Sequence, residues 1–209
     1  MKILTAVFML AVCQISLAEP ASFEEQNFSI DLPAGWTKGE TPPQCLALVR
    51  STDGAKGMVL MAFKIPPEEI TNALTGLVRG AKNAALAKNL PFTNEHDQVI
   101  DGVGFHFYSS VQPGNVGTVS MMGVTGNWGY SVQGFSSNLD PSKDPEITTA
   151  MNSFRLLAPV PDSATSPITS SSQGEAYQAG QFFGKWAVIA FIAGAVVIIF
   201  RKAAAAKRG

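Results

Sequence analysis

From Trp186 to Phe200 the chain carries no charged or strongly polar side chain, and a helix drawn through the run has no polar face. A helix that is apolar all round belongs in a core or a bilayer. Extended back to Phe182, the run makes about 28 Å of helix at 1.5 Å per residue, close to the roughly 30 Å hydrocarbon core of a membrane. Lys185 lies near one end, where its long stem lets the ammonium reach the interface, and Phe182, Phe183 and Trp186 sit where an aromatic belt belongs. A polar stretch precedes the run, and Arg201-Lys202 and Lys207-Arg208 follow it. This pattern predicts a single transmembrane helix over 182–200 and a basic tail over 201–209.

The N-terminus is apolar in a different way. Met1-Lys2 is followed by a mostly apolar core from Ile3 to Val12 and then by Cys13 to Ala18. That core is shorter than the roughly 20 residues a span needs, and one positive charge with a small-x-small end at Ser16-Leu17-Ala18 predicts a signal peptide, 1–18, cut after Ala18. A lipid-acceptor reading of Leu10-Ala11-Val12-Cys13 is disfavoured by the bulk of Val12 before the cysteine.

Charge sets the orientation. Residues 19–181 hold nine Lys and Arg against sixteen Asp and Glu, a net of −7, whereas 182–209 hold five basic residues and no acidic one. Basic residues beside a span stay on the cytoplasmic side, so domain outside and tail inside is the expected topology, facing the periplasm if the membrane is a bacterial inner one. An acidic domain also argues against nucleic acid as a partner, which needs a basic face. With the leader removed, Cys45 is the one cysteine, so no intrachain disulfide is available and stability must come from a packed core. Cys45 itself reads as a small buried apolar residue.

Within the chain, 19–158 reads as the folded unit and 159–181, rich in Pro, Ser, Thr and Ala, as a flexible linker. Phe28-Ser29-Ile30-Asp31-Leu32 alternates with the period of a half-buried strand, and Pro33-Ala34-Gly35 turns the chain into Trp36, expected to be largely buried. Leu46–Val49 and Gly57–Ile65 read as the next strands, joined by a hairpin turn at Ser51-Thr52-Asp53-Gly54. Pro66-Pro67-Glu68-Glu69 opens a helix whose face is Ile70, Leu74, Leu77, Ala81 and Ala85, with Pro91 as its stop. Strands are predicted over Asn94–Ile100, Val103–Val111, Thr118–Val124 and Trp128–Phe135, with Asp101-Gly102 and Gly126-Asn127 as turns. Asp144 caps and Pro145 starts a last short helix with Ile147, Met151 and Phe154 on its apolar side. This order predicts an α+β fold: one antiparallel sheet with one long and one short helix packed on it.

The opening segment, Phe28-Ser29-Ile30-Asp31-Leu32-Pro33-Ala34-Gly35-Trp36, and the closing one, Asn152-Ser153-Phe154-Arg155-Leu156, resemble the first strand and turn and the final segment of PsbP-like domains. That resemblance implies the α+β fold and the general character of a non-enzymatic docking domain. The matching residues are structural, so it implies no site residue.

No catalytic, cofactor or metal constellation emerges from the residues. His96 and His106, the two histidines, read as solvated surface residues without enough companions for a metal. Gly129-Tyr130-Ser131-Val132-Gln133-Gly134 is one residue too long for a nucleophile elbow and lacks the following helix. Asp140, Asp144 and Glu146 lack the order of a calcium loop and read as caps and turns. Asn27-Phe28-Ser29 is a glycosylation sequon. Gly180 and Gly184 form a G-x-x-x-G that allows helix-mediated self-association, with Ala190 and Gly194 at the same spacing. The expected function is a membrane-tethered binding or assembly module whose partner is another extracytoplasmic or membrane protein. The alternative is a small apolar ligand or lipid held between the long helix and the sheet near Leu74, Leu77 and Val78; an enzyme would need a cleft gathering His106 with two carboxylates.

Overall fold

A computed structural model describes residues 19–111, 117–158 and 177–181. In chain order the elements are β1 (Glu19–Phe23), β2 (Phe28–Leu32), β3 (Thr37–Lys38), β4 (Ala47–Arg50), β5 (Lys56–Lys64), α1 (Ile70–Leu86), β6 (Thr93–Ile100), β7 (Val103–Val111), β8 (Gly117–Thr125), β9 (Trp128–Ser136), α2 (Pro145–Asn152) and β10 (Arg155–Leu156). The strands form not one sheet but two: a three-stranded sheet ordered β1-β2-β10 and a seven-stranded one ordered β3-β4-β5-β9-β8-β7-β6. All pairings are antiparallel.

The large sheet is covered on both faces, which explains why β5 is apolar throughout its centre rather than alternating. Its Met58 and Leu60 join a core with Phe28 and Ile30 of β2, Phe105, Met121 and Val132, and with Ile147, Met151 and Phe154 from α2 and its end. Its Val59 and Met61 point the other way, into a second core with Leu77 and Ala81 of α1, Tyr108 and Met122. The molecule is therefore layered: α1, the seven-stranded sheet, then the small sheet with α2.

The small sheet joins the two ends of the domain. Phe154 stacks on Phe28 at 5.1 Å and meets Phe105 and Tyr130 edge-on. Ser153 Oγ accepts from the Asp31 backbone N–H at 2.8 Å, and Arg155 and Leu156 pair with Ser29 and Phe28. The opening and closing segments singled out in the sequence are thus one packed unit. Trp36, by contrast, is half-buried rather than a core residue: it packs against the edge of the first core because the Pro33 turn, closed by Trp36 N–H to the Pro33 carbonyl at 3.2 Å, leaves it at the rim.

Helix α1 is preceded by a 3₁₀ turn over Pro67–Glu69. Its end is set before Pro91 is reached. Asn89 adopts a left-handed backbone, φ 54°, with Asn89 N–H bonded to the Leu86 carbonyl and Leu90 N–H to the Ala85 carbonyl, the pattern of a Schellman motif. At 17 residues, α1 is about 25 Å long, enough to cross the roughly 19 Å of four inter-strand steps. It carries the chain from β5 to the far edge of the sheet, where β6 is laid down; β7, β8 and β9 then return to pair with β5.

Asp144 caps α2 as expected: Oδ1 accepts from the N–H groups of Glu146 and Ile147. Oδ2 lies 2.8 Å from Lys56 Nζ, although the Asp144 side chain is fully buried.

The predicted linker, 159–181, ends differently from expectation. Residues 177–181 are helical and lie on α1, because glycines on both sides let the two backbones touch. A Cβ on Gly80 would overlap the Tyr177 carbonyl oxygen, and one on Gly180 would overlap that of Leu77. The predicted signal peptide 1–18, the membrane span 182–200 and the tail 201–209 lie outside the described residues, and no helix among those described is long and apolar enough to cross a membrane.

Candidate functional site

The two histidines occupy opposite faces of the sheet. His96, on β6, pairs across from Phe107 and stacks on its ring at 5.0 Å, facing the α2 side. His106, on β7, faces α1 and is not a solvated residue as expected: only 15% of its side chain is exposed. The reason is register. Asp97 lies directly across from His106, with Oδ1 2.8 Å from Nδ1, and Glu95, two residues earlier on the same face of β6, brings Oε2 to 3.6 Å of Nε2. Glu95 in turn accepts from Lys82 of α1 at 2.9 Å, and Lys82 lies over the Phe92 ring.

His106 is thus gathered with two carboxylates, the arrangement that would favour an enzyme, but Asp97 is 79% exposed, and among the described residues the partners of the imidazole are these carboxylates rather than a hydroxyl or thiol. Ser131 of the elbow-like segment is fully buried in the middle of β9. Tyr108, stacked on Phe92 at 4.0 Å, has its phenol pushed up to about 12 by burial. Burial also raises the Cys45 thiol, which is half-buried and so little ionised at neutral pH. The His106 group ties β6 to β7 and to α1.

The acidic residues near α2 are structural. Burial works against ionisation of Asp140, but hydrogen bonds from Ser142 and the nearby Lys143 outweigh it and hold its carboxyl below the ordinary range. Lys56 is raised by hydrogen bonds to Asp144 and Glu146. Among the described residues no group of three His, Cys, Asp or Glu side chains could hold a metal ion. Asn27, the sequon residue, has a left-handed backbone, and its amide is held at both ends: Nδ2 donates to the Ala158 carbonyl and Oδ1 accepts from the Ala158 N–H.

Two features were not visible in the sequence. One is β6 as an edge: Thr93 through Val99 are all exposed, and Val99 is 71% exposed. The strand's one sequence signal is that both of its faces are polar until Val99. The other is a pocket of about 220 Å³ between β6, β7 and α2, with Phe107, Val119 and Met151 among its apolar lining and His96, Gln98 and Asn152 among its polar lining. No charged side chain lines it.

No family model matches the chain and no curated protein matches its sequence. Among solved structures, the solution structure of the cyanobacterial PsbP protein CyanoP from Synechocystis is similar, with a TM-score of 0.52 and 13% identity over 73% of this chain and 98% of that one. A crystal structure from Bacteroides thetaiotaomicron is less so, with a TM-score of 0.40 and 16% identity over 62% of this chain and 45% of that one. The fold is PsbP-like, as the opening and closing segments led one to expect.

Proposed function

We propose that this chain is a membrane-tethered docking module, held outside the cytoplasm by one C-terminal helix, whose β6 edge takes an extended segment of another extracytoplasmic or membrane protein. The tether rests on the apolar run 182–200 and the basic tail after it. The outward placement rests on the leader-like first 18 residues and on the charge asymmetry, and favours a bacterial inner membrane with the domain in the periplasm. The single observation that carries docking is the exposed edge. A free strand edge presents unpaired N–H and C=O groups on which another chain can add a strand. Natural edges are guarded by charges and bulges. Here the bulge lies between Thr93 and His96, leaving His96–Ile100 in regular register, and Glu95 and Asp97 are drawn toward Lys82 and His106.

The ligand-binding alternative has less support. Leu77 is fully buried against Val59, Met61, Tyr108 and Met122, so an apolar ligand near it would have to displace core side chains.

The test is a photocrosslinking residue placed at Val99 of the full chain in its native membrane, with Asp53 in the β4–β5 hairpin turn as control. Docking at β6 predicts one discrete adduct from Val99, lost when Gln98 is replaced by proline, and none from Asp53. Equal labelling at both positions, or none at Val99, would count against this reading.

A further inference from the structure

Small residues let two helices approach closely, and Gly180-x-x-x-Gly184 allows association between chains. The structure gives Gly180 a partner in its own chain. Gly80 and Gly180 each occupy a spot where a Cβ would strike the other helix's backbone; either side chain alone would separate the helices. Tyr177 adds two contacts to α1: its hydroxyl accepts from Asn83 Nδ2 at 3.0 Å, as it also does from Gln181 Nε2 of its own turn, and Arg79 lies 5.2 Å from its ring centroid. Ala179 packs on the α1-side core. Tyr177 meets Gly80 and Asn83 while Gly180 meets Leu77, so the segment runs antiparallel to α1, toward its N-terminal end.

We infer that α1 is the docking surface for the membrane-proximal segment 177–181, and that this Gly80–Gly180 clasp, not the length of the linker, sets how the domain stands on the membrane. The inference rests on the reading of 182–200 as a membrane span. If the domain hung on a free linker, residues 159–181 would let it range tens of ångströms from the bilayer. With 177–181 clasped to α1, the described chain leaves the surface of the domain immediately before residue 182, where the proposed span begins. The clasp also occupies Gly180, leaving it unavailable for pairing with a second copy.

The experiment is amide hydrogen exchange on the full chain in lipid nanodiscs, comparing wild type, Gly180→Leu, Tyr177→Ala and Gly184→Leu. Exchange in 177–181 should be slowed more than about tenfold in wild type relative to Gly180→Leu, with Tyr177→Ala between them and Gly184→Leu as wild type. Strands β5, β8 and β9 should stay protected in every variant, which separates release of the clasp from unfolding. Rapid exchange of 177–181 in wild type, or no response to Gly180→Leu, overturns the clasp. Extraction of the wild-type chain from native membranes by alkaline carbonate overturns instead the membrane reading, and the positioning with it. Retention in the membrane with rapid exchange overturns the clasp alone.

Discussion

Phe154 and Trp36 both belong to the segments that resemble PsbP-like domains, and their surroundings give them unequal weight. Phe154 is fully buried and touches the rings of Phe28, Phe105 and Tyr130, so it joins the small sheet, the large sheet and the end of α2. Emptying such a site costs about 3–5 kcal/mol, a large part of the roughly 5–15 kcal/mol total of a typical domain. Trp36 keeps one side in solvent and should cost less, about 1–3 kcal/mol, since the transfer term scales with the area removed from water. Urea denaturation of Phe154→Ala and Trp36→Ala should rank them in that order. The reverse ranking would place the structural centre of the closing motif elsewhere. Ser153 and Phe154 follow one another in sequence, yet one holds the Asp31 backbone and the other Phe28 at the start of the same strand. A single short motif can therefore report a contact more than a hundred residues long in sequence.

At the scale of elements, legibility followed burial, except that β6 could be read as a strand although it is exposed. Strands β5, β7, β8 and β9 are long and sheathed, and α1 and α2 carry their start signals in Pro67-Glu68-Glu69 and Asp144-Pro145, so each could be read from periodicity and caps. β1, β3 and β10 could not. β3 and β10 have two residues each, too few for a period, and β1 contains Pro20 and pairs only along one side, with β2. The number of sheets was misread because β2 alternates equally well in either sheet; only the pairing of β10 with β2 separates the two. The candidate edge was invisible for a related reason. Its exposure is a consequence of where α1 ends, and His106 owes its burial to a cross-strand register that no local pattern encodes. His106→Ala should accordingly cost about 1 kcal/mol, the typical net value of one hydrogen bond, rather than the near-zero of a surface site. The loss should be local, seen as faster amide exchange in β6 with β8 and β9 unchanged. Unaltered exchange in β6 would mean that the strand is held by its backbone ladder alone.

The molecule as a whole has two cores on the two faces of one sheet, and they differ in what completes them. Among the described residues, the α2-side core draws its buried members from residues 28–154. The α1-side core is also largely supplied by the domain, from Leu48 to Phe135, but Ala179 packs against it from outside, and the buried stripe of α1 includes Gly76 and Gly80, residues with no side chain to cover the helix themselves. Residues 19–158 alone should therefore fold as a soluble, cooperative unit, with the Gly76–Gly80 side of α1 newly exposed. Adding 159–181 should raise its stability by about 1–2 kcal/mol, the scale of one net hydrogen bond and one exposed cation–π contact, both made by Tyr177. Urea unfolding of the two fragments measures this directly. The gain should vanish in the longer fragment with Gly180→Leu, because a leucine there strikes the Leu77 carbonyl and lifts the turn away. If the shorter fragment fails to fold, the 177–181 turn is part of the core rather than a clasp upon it. If the two are equally stable, contact between Gly80 and Gly180 holds no stability in the free domain, and the proposed clasp cannot set how the domain would stand on a membrane.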